Sequence, residues 1–119
     1  ERKANITNKV LERQLTLGLA GLSPENLENV VIAYEPVWAI GTGETASPEQ
    51  AEEAHVFIRG WVAKAFGDAA ASRMRIQYGG SVTAKNAASL FEKENIDGFL
   101  VGGASLKPAD FALIVQACA

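Results

Sequence analysis

With 119 residues the chain is long enough for one hydrophobic core, and its net charge of −3 leaves no basic footprint for nucleic acid or an anionic membrane surface. Hydrophobic residues make up 48% of it, an ordinary share for a globular domain, and no apolar run approaches the roughly 18 residues of a membrane-spanning helix. A lone cysteine, Cys118, rules out an internal disulfide, and together with the lone histidine, His55, it leaves no credible zinc site.

The chain opens at Glu1 without an initiator methionine and without a basic-then-apolar leader, and it reads as a piece of something longer. Leu11, Leu15, Leu19 and Leu22 recur at near-helical spacing and predict an amphipathic helix over residues 6–20, capped by Asn5 or Thr7 and ended by Gly21. Ser23 to Asn29 is a polar connection around Pro24 with room for one helical turn. The apolar run Val30 to Tyr34 then reads as a buried strand. Further on, Ser47-Pro48-Glu49-Gln50 is a helix start, with Ser47 as the cap, Pro48 at the first helical position and Gln50 closing a capping box. That helix is expected to reach Phe66, with Ala51, Ala54, Ile58, Trp61 and Ala65 on one face, and Gly67 ends it.

Met74 to Tyr78 is predicted as a second strand, followed by Gly79-Gly80-Ser81-Val82. Thr83 caps a helix to about Lys93 that carries Ala84, Ala87, Ala88 and Phe91 inward. Gly98 to Val101 is a third short strand, interrupted by Gly102-Gly103. A last helix from Pro108 to Cys118 should bury Phe111, Leu113, Ile114 and Val115 in part. Apolar strands alternating with helices argue for an α/β domain whose parallel sheet is covered by helices. No linker or second domain is visible.

Function concentrates in the stretch Ala33 to Gly43. Glu35 stands at the C-terminal end of the first strand, followed by Pro36, four apolar residues and Gly41-Thr42-Gly43. This is a general-base candidate beside a loop with a stiff entry, an apolar tip and a flexible exit. Such a loop can close over a ligand, and excluding water strengthens the electrostatics inside. The spacing alone is equally compatible with a surface glutamate before an ordinary connection. In parallel α/β folds the C-terminal strand ends share one side, so Glu35, Gly79-Gly80-Ser81 and Gly102-Gly103 should lie together. Glycine pairs there either make tight turns or let backbone N–H groups approach an anion without Cβ obstruction.

The wording of Ala33 to Gly43 resembles the catalytic glutamate and lid loop of the triosephosphate isomerase family. Tyr78-Gly79-Gly80-Ser81-Val82 is similar to the loop after that family's seventh strand, and Gly98 to Leu106 to its eighth strand and phosphate loop. The three motifs follow the family order and the intervening helices fit, so the resemblance runs through the whole chain. It implies a partial (β/α)8 TIM barrel: the last three parallel strands with their covering helices, from the fifth helix to the eighth. Residues 1–119 would then be the C-terminal segment of a single barrel domain.

The resemblance also implies an aldose–ketose isomerase that interconverts dihydroxyacetone phosphate and glyceraldehyde 3-phosphate through an enediolate. Glu35 would move the proton between adjacent carbons. Backbone groups at Gly41, Ser81, Gly102 and Gly103 would hold the phosphate. Pro36, Val37 and Trp38 would form the first lid hinge, Ala39, Ile40, Gly41, Thr42 and Gly43 the moving tip, with Thr45 and Ala46 near the second hinge. Tyr78 and Ser81 would latch the closed lid. Neither cofactor nor metal is implied. The partners would be the triose phosphate, the N-terminal part of the same barrel and a second copy in a homodimer, in a cytoplasmic setting within glycolysis and gluconeogenesis.

His55 lies within the helix from Pro48, away from the loop ends, and is expected to pack or face solvent; Trp61 is expected in the core, and Cys118 to be structural. Arg59 and Asp97 would pair across a helix and a strand entry in the family's manner. The family's barrel has eight strands and about 250 residues. Its electrophilic lysine and histidine match no motif of this chain. Two unpaired sheet edges and an exposed inner face would follow. Three readings stay open: part of a triosephosphate isomerase needing its N-terminal complement, another phosphate-binding barrel enzyme, or a non-catalytic or self-associating fragment.

Overall fold

The computed structural model describes residues 7–37 and 46–119. Helix α1 (Thr7–Gly18) turns Leu11 and Leu15 inward, and the chain leaves it through Gly21 at a φ of 82°, a conformation that favours glycine. A 3₁₀ turn (Pro24–Asn29) follows, fixed by reciprocal side-chain bonds between Ser23 and Asn26. It delivers the chain to strand β1 (Val31–Tyr34).

Helix α2 (Pro48–Phe66) begins as the sequence predicts. Ser47 Oγ accepts the Gln50 amide at 3.1 Å, while Gln50 Oε1 accepts the Ser47 amide at 3.0 Å. It ends at Gly67, whose φ of 99° breaks the helix. The buried stripe is Ala51, Ala54, His55, Ile58 and Val62; Ala65, expected inward, is exposed, and Trp61 packs half-buried beside Phe66. A second helix unexpected from the sequence, α3 (Asp68–Arg73), is inserted before strand β2 (Arg75–Tyr78) and buries Ala70 and Ala71.

Beyond β2 the helix expected from Thr83 to Lys93 is reduced to α4 (Ala87–Phe91). The turn ahead of it is capped at Thr83 as expected: Asn86 Oδ1 accepts the Thr83 amide at 2.7 Å, Thr83 Oγ1 accepts the Asn86 amide at 3.3 Å, and the Ala87 amide donates to the Thr83 carbonyl at 3.1 Å. Asn86 Nδ2 also donates to the Ser81 carbonyl at 2.9 Å. Ala87 and Leu90 point inward; Ala88 does not. Strand β3 is only Gly98–Phe99, although the Leu100 amide still donates to the Tyr78 carbonyl at 3.0 Å. A 3₁₀ turn (Gly103–Leu106) leads to α5 (Pro108–Ala117). Of the four residues expected to be buried on α5, only Ile114 is; Phe111, Leu113 and Val115 are exposed. The helix is apolar on more than one side, and among the described residues only one side has a neighbour.

The sheet runs β1-β2-β3, parallel throughout, with Val31 beside Arg75, Tyr34 beside Tyr78, and Tyr78 beside Phe99. Side chains alternate across it. Ile32, Tyr34, Ile76 and Tyr78 face the helices, while Val31, Ala33 and Arg75 stand exposed on the other side. Two apolar clusters lie on the helix side. One joins Leu11, Leu15, Ile58, Val62 and Ile76; the other joins Tyr78, Leu90, Ile96 and Ile114.

Arg59 ties these layers together. Its guanidinium donates to Asn95 Oδ1 (2.7 Å), to the carbonyls of Ala71 (2.5 Å) and Met74 (2.8 Å), and to Asp97 Oδ2 (2.6 Å). Asp97 in turn accepts the Ile76 amide at 3.0 Å. The expected Arg59–Asp97 pair is therefore present, and it joins α2, the end of α3, the start of β2 and the entry to β3.

Candidate active site at the strand ends

Parallel pairing puts the C-terminal ends of β1 and β2, and the loop after β3, on one side of the sheet. Glu35 is the first residue past β1 and is exposed. The ladder continues one step beyond the strands, where the Gly79 amide donates to the Tyr34 carbonyl at 2.7 Å. This draws the Gly79 backbone against the glutamate. A Cβ on Gly79 would lie 2.8 Å from Glu35 Cγ and 3.3 Å from the Tyr34 carbonyl oxygen. Glycine at this position is the seat of the Glu35 side chain.

Gly80 is needed for a different close approach. It is buried, and a Cβ there would overlap the Tyr78 hydroxyl and lie 3.0 Å from Pro36 Cγ. Neither glycine has positive φ, so the pair serves contact and not turn geometry. The second pair is unlike the first: Gly102 and Gly103 are exposed, with open space where a Cβ would be. Their loop is held from behind by Ser105, whose hydroxyl donates to the Gly102 carbonyl at 2.6 Å.

Tyr78 is fully buried under this loop cluster. Burial pushes its phenol up to about 12; the neighbouring Tyr34 raises it too, and the Ala46 backbone N–H facing the hydroxyl only partly offsets them. The approach of Ala46 falls short of a well-formed hydrogen bond, and the hydroxyl has no partner among the described residues. Ala46 and Pro36 are buried, Val37 is exposed and Ser81 is half-buried. Trp38, Ala39, Ile40, Gly41, Thr42, Gly43 and Thr45, the remaining residues expected in the lid, lie outside the described residues.

His55 sits away from the loop ends, as expected, and packs instead of facing solvent. Its ring meets Tyr34 edge-on at 5.8 Å and lies 6.3 Å from Tyr78. Burial lowers its pKa below the ordinary 6.5, against the raising effect of its bond to the Asn95 carbonyl and of Glu52 and Asp97. Sequence reasoning gave His55 no tie to the loops; the link runs through strand residues whose direction only the register reveals. A cleft of about 240 Å³ lies between α1, β1 and α2, lined by Leu11, Leu15, Ile32 and Glu35 among others, and among the described residues no loop glycine borders it. Among the described residues no group of His, Cys, Asp and Glu side chains is placed to hold a metal ion, and no helix is long and apolar enough to cross a membrane.

The family model described as "Triosephosphate isomerase" matches residues 1–118. The chain belongs to the triosephosphate isomerase family. It is 56% identical over 119 residues to the triosephosphate isomerase of Chlorobium chlorochromatii, covering 100% of this chain and 46% of that protein. Against the triosephosphate isomerase of Citrifermentans bemidjiense the identity is 58% over 115 residues, 97% of this chain and 46% of the relative. The corresponding enzyme of Chloroherpeton thalassium is 54% identical over 116 residues, again 46% of its length. The chain thus spans about half the length of the curated relatives it matches. Its parallel sheet with covering helices is part of the α/β barrel of the triosephosphate isomerase family.

Proposed function

We propose that the chain is the C-terminal segment of one triosephosphate isomerase barrel domain and supplies its base, its lid and most of its phosphate site. Glu35 takes a proton from one carbon of dihydroxyacetone phosphate and returns it to the next, through an enediolate, giving glyceraldehyde 3-phosphate. Backbone groups of Gly41, Ser81, Gly102 and Gly103 hold the phosphate, remote from the reacting carbons, where its binding drives closure of the lid. Pro36, Val37, Trp38, Ala39, Ile40, Thr42, Gly43, Thr45 and Ala46 form that lid. Tyr78 and Ser81 latch it, with the Ala46 N–H donating to the Tyr78 hydroxyl.

The seat of Glu35 against Gly79 carries this reading. It fixes a carboxylate beside the loop of the neighbouring strand, which an ordinary surface glutamate does not need. The exposed glycine backbone at 102 and 103 is open to an anion. Activity requires the rest of the barrel, which brings the electrophile that stabilises the enediolate; this chain by itself is inactive. The complete enzyme is a homodimer in the cytoplasm.

The test is complementation with the N-terminal half of the Chlorobium chlorochromatii enzyme. The mixture should isomerise dihydroxyacetone phosphate, while neither half does. In the reconstituted enzyme Glu35→Asp, which withdraws the carboxylate by one methylene, should lower kcat by about two orders of magnitude or more with little change in stability. Undiminished turnover would show that another group is the base.

A further inference from the structure

Among the described residues two buried polar side-chain atoms have no hydrogen-bond partner, and both belong to one cluster of rings. They are the Tyr78 hydroxyl oxygen and Nε2 of His55. His55, Tyr34 and Tyr78 pack within 5.8–6.5 Å of one another, centroid to centroid, and the two tyrosines close the strands that lead to Glu35 and Gly79. Both unpartnered atoms belong to fully buried side chains.

The two deficits are of opposite kind. Nδ1 of His55 lies 2.9 Å from the Asn95 carbonyl oxygen, which can only accept, so Nδ1 carries the proton and Nε2 presents a lone pair. Nε2 is therefore an acceptor without a donor. The Tyr78 oxygen faces the Ala46 N–H, which brings its own hydrogen, so the phenol proton has to go elsewhere. Tyr78 is a donor without an acceptor.

We propose that His55 is a positioning residue for the lid latch: held by Asn95, it offers Nε2 to the Tyr78 O–H across one water, and so aims the phenol oxygen at the Ala46 N–H. The latch itself is the reading of Tyr78 given above, and this inference rests on it. The charged groups around the imidazole are Glu52 and Arg59 on its own helix and Asp97 ahead of β3. Each is already engaged. Glu52 accepts the Asn95 amide at 2.8 Å, and Arg59 and Asp97 pair with each other. None competes for Nε2, and Asn95 is held in place to orient the ring.

His55 is the sole histidine, so labelling histidine with ¹⁵N gives one pair of ring resonances. The chain should show a protonated Nδ1 and a bare Nε2. Tyr78→Phe should move Nε2 downfield, as expected for a lost hydrogen bond, and leave Nδ1 in place. A proton on Nε2, or an Nε2 indifferent to Tyr78→Phe, overturns the inference. If Tyr78→Phe does not fold, fluorotyrosine incorporation keeps every phenol while making it a stronger donor; Nε2 should then move upfield, and an unmoved Nε2 overturns the inference. In the reconstituted enzyme His55→Leu should raise KM on the order of three- to tenfold, the span of one hydrogen bond, and His55→Gln, which keeps an acceptor, should recover part of it. Equal KM values for the two variants overturn the positioning role. An intact ¹⁵N link combined with a KM that ignores Tyr78→Phe sinks the latch reading of Tyr78 instead.

Discussion

Gly80 shows what a glycine at a strand end can be required for. Its backbone passes so close to the Tyr78 phenol that any side chain would occupy the space of the hydroxyl, and Tyr78, fully buried, has nowhere to turn. Gly80→Ala is therefore expected to cost about 1–3 kcal/mol, the usual penalty of overpacking. Gly102→Ala, where a Cβ meets open space, should stay within about 0.5 kcal/mol. Urea denaturation of the two variants separates them. His55 makes a second prediction, in pH. Its folded pKa lies below the ordinary 6.5, so on acidification the unfolded chain takes up the proton first. The contribution is complete above pH 6.5 and is lost as pH falls below it, with a slope of at most about 1.4 kcal/mol per pH unit. Carboxylates add their own slope lower down. The difference between the parent chain and His55→Gln, titrated from pH 8 to about 4.5, isolates the histidine.

At the scale of elements, Arg59 does for the connections what Gly79 and Gly80 do for the loops. Its four acceptors belong to the end of α3, the residue before β2 and the segment leading into β3. Arg59→Leu would take a donor from the Ala71 and Met74 carbonyls, from Asn95 Oδ1 and from Asp97, which would keep only the Ile76 amide. The side chains of Arg59 and Asp97 are 18% and 32% exposed, so water relieves part of that, and a loss of about 2–3 kcal/mol is expected in the denaturation midpoint. Asp97→Asn should lose less, because its amide oxygen can still accept from Ile76. The elements that the sequence made legible are those with an explicit signal: the Ser47–Gln50 box, Gly21 and Gly67 as stops, and three apolar strands. Helix α3 escaped because Asp68 to Arg73 is too short to display a period. At helix α4 the cap signal at Thr83 was sound, since Thr83 and Asn86 bond each other's backbone, but residues 84–86 form only a turn and the regular helix begins at Ala87. Among the proposed site residues, the glutamate and the glycine pairs came from wording. The distinct duty of each glycine did not, since it depends on which residue stands across the register.

Among the described residues the helices of the molecule leave one sheet face bare, and that face decides how the chain relates to the family. Val31, Ala33 and Arg75 line it, Val31 at 50% exposure, while their neighbours Ile32, Tyr34 and Ile76 are turned to the helices. If this face becomes the interior of a closed barrel, its residues have two environments: water in the chain by itself, and packed side chains in the assembled enzyme. A charge at Val31 tells the two apart. In the chain alone Val31→Asp should change stability by no more than about 1 kcal/mol, the span of strand propensity. In the complemented enzyme the same carboxylate would be shut away without a partner, costing about 3 kcal/mol or more and weakening assembly with the N-terminal half by roughly a hundredfold. Titrating the N-terminal half against each form, with isomerase activity as the signal, measures the ratio directly. A Val31→Asp chain that complements as well as the parent would mean that this face stays wet in the complex, and that the two halves meet without closing a barrel around it.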